Sequence, residues 1–254
     1  MEETIKLVLF SKNLEIYKEF IESCKVAFSD ILFVSDSDKN IFQLNGVIHS
    51  PKSSENFHNF VENITKFNGD MLISFNYNSF IQEEILNSFD FAYNFHGSLL
   101  PNYSGPHSIN WQIINGEEKT GVTIHELTPE IDGGNIVMQK EFTIFNEDTA
   151  QDVLEKNVEL SSKMLENLVK GFIQNNLPSR KQIKNGNEYI CKLRKPEDGQ
   201  ILKGMSINTI YNMARALAEP WPGIFYFDEK GIRYTVNQKI SISESEEIFK
   251  KINC

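Results

Sequence analysis

Residues 89–105 read FDFAYNFHGSLLPNYSG, an apolar segment that runs into Asn94 and His96 and then breaks at a Gly-Ser turn and Pro101. The part before Asn94 is apolar enough to enter a core as a strand, so two polar side chains at its exit call for a reason. Residues two apart on a strand share a face, which lets Asn94 and His96 converge on one ligand atom. What kind of sheet this strand would join is set by its neighbours.

Upstream, Ile5–Phe10 reads as a strand, and Leu14, Tyr17, Phe20, Ile21 and Cys24 then recur at helical spacing. Ile31–Val34 and Gly46–His49 are short strand candidates, and a helix is expected from about Glu55 to Phe67. DMLISF (70–75) is the clearest buried strand, with Phe80–Phe89 as the next helix. This alternation predicts an α/β, Rossmann-like fold, a mostly parallel doubly wound sheet with helices on both faces. Ligands of such sheets bind outside the carboxyl ends of the strands, where Asn94 and His96 close the strand Phe91–Asn94.

Downstream, about Pro106–Ile114 predicts a helix stopped by Asn115 and Gly116. TGVTIHEL (120–127) and NIVMQKEFTI (135–144) read as two strands joined by TPEIDGG (128–134), whose paired glycines favour a sharp turn. Thr149–Asp152 resembles a capping box for a long helix ending near Gln174. Beyond Pro178 come the basic loop KLRKPEDG (192–199), a helix over Ser206–Leu217, the turn EPWPG (219–223) and hairpin-like strands in IFYF (224–227) and IRYTV (232–236). The expected division is a catalytic domain over 1–180 and a small, mainly β C-terminal subdomain over 181–254.

A chain of 254 residues that is 40% hydrophobic can bury one full core and a small second one. Its apolar runs fall far short of the roughly 20 residues that cross a bilayer. MEETIKLVLF carries acids where a signal peptide carries bases, so the expectation is a cytoplasmic protein with no membrane partner. A formal charge of −10 argues against a nucleic-acid partner, which needs a basic stripe. Cys24, Cys191 and Cys254 stand in no C-x-x-C arrangement, so neither a disulfide framework nor a thiolate metal site is indicated.

A neutral imidazole accepts a proton near neutral pH, and a carboxamide donates to a developing oxyanion. Together they suit nucleophilic attack on a carbonyl. A carboxylate beside the imidazole would fix its tautomer and support its charged form. The candidate is Asp132, although spacing alone does not decide whether it meets His96 or whether His96 merely satisfies a strand end. Ser98 lacks a G-x-S-x-G elbow, FSKNLE stands where a dinucleotide glycine motif would, and His96, His107 and His125 lack metal-ligand spacing, so no metal is expected. His125, on a strand where Val122 and Ile124 face one way, reads as a structural partner.

Three stretches, NFHGSLLPNYSG (94–105), WQIINGEEKTGVTIHEL (111–127) and EIDGGNIVMQ (130–139), together resemble the formyltransferases that use 10-formyltetrahydrofolate. Weaker hallmarks follow in RKPEDGQI (194–201) and RALAEPWPGIF (215–225). The resemblance implies a Rossmann-like catalytic domain in which Asn94, His96 and Asp132 are the catalytic residues and 10-formyltetrahydrofolate is the co-substrate. Folate is expected between Phe75, Asn76 and Tyr77 on one side and Pro129, Glu130 and Ile131 on the other.

HGSLLPNYSG (96–105), IINGE (113–117) and TGVTIH (120–125) together look most like the sugar N-formyltransferases, which act on nucleotide-linked amino-dideoxyhexoses, whereas glycinamide ribonucleotide formyltransferase is similar in its core but lacks the later RKPEDGQI and EPWPG features. The best guess is dTDP-4-amino-4,6-dideoxyglucose, made for O-antigen or other surface polysaccharide. Relatives usually carry Arg where this chain has Ser104, so Lys12, Arg194 and Lys195 become candidates for the acceptor's phosphate, with Tyr103, His107 and Trp221 shaping the sugar pocket. The family also implies a homodimer, expected through the C-terminal hairpins. Alternatives are a methionyl-tRNA formyltransferase-like enzyme, against which the acidic charge and the missing long basic C-terminal domain speak, and a formyltetrahydrofolate deformylase, which usually has an extra N-terminal domain. A non-catalytic folate or sugar-nucleotide binder would have no need of all three polar groups.

Overall fold

The computed structural model describes residues 5–12, 14–35, 47–49 and 56–253; Gly46 and Glu55, expected to open a strand and a helix, lie outside the described residues. Strands β1 (Lys6–Ser11), β2 (Asp30–Ser35), β3 (Val47–His49), β4 (Met71–Phe75), β5 (Ala92–His96), β6 (Lys119–Glu126) and β7 (Ile136–Thr143) form one sheet, in the order β3-β2-β1-β4-β5-β6-β7. Neighbours from β3 to β5 pair in parallel, and β6 runs antiparallel to β5. The expected Rossmann-like α/β architecture is therefore present.

β1 and β4 are near-continuous apolar runs because both faces of the sheet are covered. Helix α1 (Lys18–Ala27) packs Phe20 on Phe75 with ring centroids 3.9 Å apart. Val8, Phe10, Val34 and Leu72 share a second cluster with Phe60 and Ile64 of α2 (Phe57–Phe67). Helix α2 stops at Asn68, whose φ of 51° ends it in the left-handed conformation that Asn tolerates.

The helix expected over Phe80–Phe89 is only α3 (Glu83–Leu86). Its exit tightens into i to i−3 bonds, Ser88 N–H to Ile85 O and Phe89 N–H to Leu86 O, which end a short helix quickly. β5, in contrast, runs two residues further than expected and takes in His96.

Two compact units interleave along the chain: residues 1–96, 122–140 and 157–187 form one, and 97–121, 141–156 and 188–254 the other. This differs from a boundary at 180/181. Helix α4 (Ser108–Ile114) packs against α6 (Ile207–Leu217), and Ile113, Ile144 and Val153 share a core with Ile210, Met213, Leu217 and Ile224. Burial draws these middle segments to the C-terminal residues.

The C-terminal stretch holds one antiparallel hairpin, β8 (Ile224–Phe227) and β9 (Arg233–Val236), beside α6 and an unforeseen α7 (Ile242–Asn253). The expected small C-terminal sheet is present as this hairpin. Helix α5 (Ala150–Ile173) starts at the expected box, where Thr149 Oγ1 donates to Asp152 Oδ2 at 2.6 Å and accepts from the Asp152 N–H at 3.2 Å.

Candidate active site

Because β5 reaches His96, Asn94 and His96 sit on one face of its carboxyl end. The antiparallel register then sets His125 of β6 directly opposite Asn94. Asp132 comes from the loop over 127–135, whose ends are tied by the Glu126 N–H to Asn135 O bond at 2.9 Å. Asp132 has φ 49°, a left-handed conformation, and a Cβ on Gly134 would lie 1.9 Å from Glu126 O. Position 134 must therefore be glycine for the loop to close, and the closed loop turns Asp132 inward.

Four side chains meet there. His96 Nδ1 lies 3.5 Å from Asp132 Oδ2, His125 Nε2 3.4 Å from Asp132 Oδ1, Asn94 Nδ2 3.1 Å from His125 Nε2, and Asn94 Nδ2 3.4 Å from Asp132 Oδ1. The expected trio of Asn94, His96 and Asp132 is brought together, and His125 joins it. Several contacts are looser than an ideal hydrogen bond, as is common before substrate binds. The side chains of His96 and Asp132 are only 9% and 11% exposed, so little water screens them.

His125 Nδ1 lies 2.8 Å from Glu126 O, which can only accept, so Nδ1 carries a proton. Its Nε2 is left to face Asn94 and Asp132. Asp132 thus divides its oxygens, Oδ2 toward His96 and Oδ1 toward His125 and Asn94. The cluster offers a carboxamide donor, an imidazole able to move a proton, and a carboxylate that stabilises positive charge on that ring.

The expected folate contacts separate on burial. Phe75 is wholly buried and stacked on Phe20, so it is a core residue and leaves the list. Asn76 turns the chain at φ 50°, and Tyr77 is half-buried, edge-on to Phe10 at 5.1 Å. Pro129, Glu130 and Ile131 are exposed, with Glu130 paired to Lys184 at 2.7 Å. Tyr77 and Leu127 both pack against the same apolar cluster. Phe80 and Ile131, 56% and 68% exposed, each offer apolar surface of the kind a flat pterin covers. The residues present fit a folate.

The acceptor candidates lie in the second unit, except Lys12, half-buried just after β1. Tyr103 is buried and stacks on Tyr189 at 4.9 Å, and its hydroxyl donates to Glu117 at 2.7 Å; burial and that carboxylate push its pKa up. Ser104 acts through its backbone, its carbonyl accepting from the Cys191 N–H at 2.7 Å. His107 is exposed at the start of α4, and Lys195 is exposed before a short 3-10 turn over Pro196–Gly199. Trp221 packs against the core of this unit, so it is a packing residue.

Arg194 is half-buried, its guanidinium carbon 5.7 Å from the Trp111 ring centroid, with Lys192 Nζ at 5.5 Å. Burial lowers the Arg194 pKa, and its Nε finds no hydrogen-bond partner among the described residues. Trp111 and Lys192 escaped the sequence reading, because α4 and the 192–199 loop are 81 positions apart where Trp111 Nε1 donates to Lys192 O. A separate cavity of about 330 Å³ beside the start of β5 and the end of α5, lined by Phe89, Phe91, Tyr93 and Phe172 among others, holds none of the four clustered side chains.

A Rossmann-like sheet that gathers a carboxamide, two imidazoles and a carboxylate at its strand ends is equipped for acyl-type group transfer. The chain belongs to the formyl transferase family, matching it over residues 8–169. Members of this family take the formyl group from 10-formyltetrahydrofolate. The bifunctional polymyxin resistance protein ArnA of Wigglesworthia glossinidia brevipalpis is 35% identical over 205 residues, 80% of this chain and 31% of that protein. This chain therefore spans about a third of that relative's length. A 4-N formyltransferase from Francisella tularensis shares the fold at TM-score 0.74 and 19% identity, over 93% of this chain and 98% of the other. HypX from Aquifex aeolicus, solved with tetrahydrofolic acid, matches at TM-score 0.69 and 14% identity, over 89% of this chain and 36% of its own. No described helix is long and apolar enough to cross a membrane.

Proposed function

We propose that this protein is a sugar N-formyltransferase that formylates the amine of a nucleotide-linked amino-dideoxyhexose, with dTDP-4-amino-4,6-dideoxyglucose as the first acceptor to test. The observation that carries the reading is the convergence of Asn94, His96 and His125 on Asp132. The second unit supports the acceptor class. Trp111 flanked by Lys192 and Arg194 offers an aromatic face and two cations, chemistry that suits a nucleotide's base and phosphates.

Asn76, Tyr77 and the backbone of 128–132 would hold the folate. The co-substrate supplies an amide-like formyl carbon that a neutral amine can attack. Asn94 Nδ2 would turn the hydrogen now aimed loosely at Asp132 Oδ1 toward the formyl oxygen as it gains negative charge, and His96 would shuttle the proton that leaves the amine toward the departing folate nitrogen. Asp132 would stabilise the positive charge His96 carries during that transfer, while His125 Nε2 accepts from Asn94 and steadies its amide. The new bond joins the sugar nitrogen to the formyl carbon, and the bond that breaks joins that carbon to the folate.

We place this enzyme in the cytoplasm, where folate and nucleotide sugars meet, making a precursor of surface polysaccharide. It works as a homodimer through the β8–β9 hairpin, which exposes Phe227, Ile232 and Tyr234. The test is a mass-spectrometric screen of purified protein and 10-formyltetrahydrofolate with nucleotide-linked 3-amino and 4-amino dideoxyhexoses. One acceptor gaining the mass of a single formyl group is the expected result. Accumulation of tetrahydrofolate and formate with every sugar unchanged would replace this reading with a deformylase.

A further inference from the structure

The loop that carries Asp132 is held by a residue 50 positions further on. Gln182 is buried, and its Nε2 donates to two loop carbonyls, Asp132 O at 2.6 Å and Gly134 O at 2.8 Å. Both hydrogens of the amide nitrogen are thereby used. The reverse orientation would set Oε1 against two carbonyl oxygens, so the contacts themselves fix which way the amide faces. The consequence is that Oε1 is buried with no partner among the described residues. A buried acceptor without a partner is unfavourable, and an apolar side chain of similar size would fill the space without that penalty. The amide earns its place through what its nitrogen holds.

The neighbours of Gln182 act in the same direction. After α5 the chain runs antiparallel beside the start of β7, where Ile136 and Arg180 exchange both backbone bonds at 2.8 and 3.0 Å. Ser179 Oγ donates to Glu126 Oε1 at 2.6 Å and accepts from Asn135 Nδ2 at 3.0 Å, while Lys184 Nζ reaches Glu130 Oε1 at 2.7 Å. Residues 179–184 thus grip both ends and the middle of the loop over 127–135. Of these contacts, only the one from Gln182 falls on Asp132 itself.

We infer that Gln182 is the positioning residue for Asp132, a donor clamp that holds the loop backbone so that the carboxylate stays between His96 and His125. The left-handed backbone at Asp132 gives such a clamp something to hold. A left-handed residue at φ 49° is a minority conformation even for Asp, and the two Gln182 bonds on either side of Gly133 favour it. This inference rests on the catalytic reading of Asp132.

The test is a double-mutant cycle of Gln182→Leu and Asp132→Asn, read as kcat for formyl transfer, together with hydrogen–deuterium exchange over residues 128–135. In the wild-type background Gln182→Leu is expected to lower kcat between about tenfold and a hundredfold, the size of effect an active-site misplacement near 1 Å produces. In the Asp132→Asn background the same change should cost under about threefold, because the two residues act as a unit. Exchange in 128–135 should quicken, with little change elsewhere.

A kcat within twofold of wild type, or equal losses in both backgrounds, would overturn the inference. If Gln182→Leu does not fold, Gln182→Asn serves, since its amide is one methylene too short to span both carbonyls. A wild-type protein that formylates no amino sugar would defeat the acceptor reading and leave the exchange result to decide this one. Unchanged exchange over 128–135 in the variant would overturn it whatever the acceptor.

Discussion

Replacing Asp132 by Asn keeps the shape of the side chain and removes its charge. In the native cluster the carboxylate lies 3.5 Å from His96 Nδ1 with both groups almost out of water. A unit charge pair near 4 Å at an effective dielectric near 20 is worth about 4 kcal/mol. If His96 carries positive charge in the transition state, that amount is added to the barrier when the charge is removed, and each 1.36 kcal/mol is a factor of about ten. Asp132→Asn is therefore expected to lower kcat about a thousandfold, while the melting temperature hardly moves. The assay is single-turnover formyl transfer to the acceptor found in the screen, followed by mass spectrometry so that slow rates stay visible. A loss under about tenfold in a folded variant would refute the reasoning, because it would mean that no significant positive charge develops beside this carboxylate.

Asn94→Ala removes one oxyanion donor and should lower kcat about a hundredfold with little change in folate KM, and a loss below tenfold would end its assigned role. His125→Phe keeps the ring's bulk but takes its nitrogen from Asn94 and Asp132. A kcat loss of about tenfold is expected, and wild-type kinetics would return His125 to a structural part. Thr149→Ala tests the start of α5. The Thr149 hydroxyl, the largest influence on Asp152, holds its carboxyl below the usual range, so the cap's stability is present above pH 4 or so and is lost as pH falls through the folded value. The variant should be about 1 kcal/mol less stable in urea unfolding at pH 7, with the gap narrowing at pH 3; a gap that widens in acid would contradict the cap.

Much of the candidate site was legible before any coordinates. Period-two alternation put Asn94 and His96 on one face, and the βαβα order placed that strand end at a crevice. The capping box at Thr149 could be read because its bonds span only three residues. His125 read as a structural partner, but which residues it partners depends on strand register. Only pairing β6 antiparallel to β5, with Asn94 opposite His125, reveals it. Phe75 looked like a folate contact because it ends its strand near the crevice, yet its ring turns the other way, onto Phe20 of α1.

The division of the chain shows the same limit. Composition suggested a break near residue 180, but burial in a shared core assigns 97–121 and 141–156 to the C-terminal residues. Gln182 gave no signal at all in KQIKNG, because its partners are two backbone carbonyls 50 and 48 positions away. What the sequence by itself determined was the type of strands β1 to β9 and helices α1 to α6, with their apolar faces, since periodicity and capping act over a few neighbouring residues. What the tertiary structure decided was the strand register, the closure of the Asp132 loop and the strap that grips it. These rest on contacts between distant segments, whose geometry is fixed only when the whole sheet has packed.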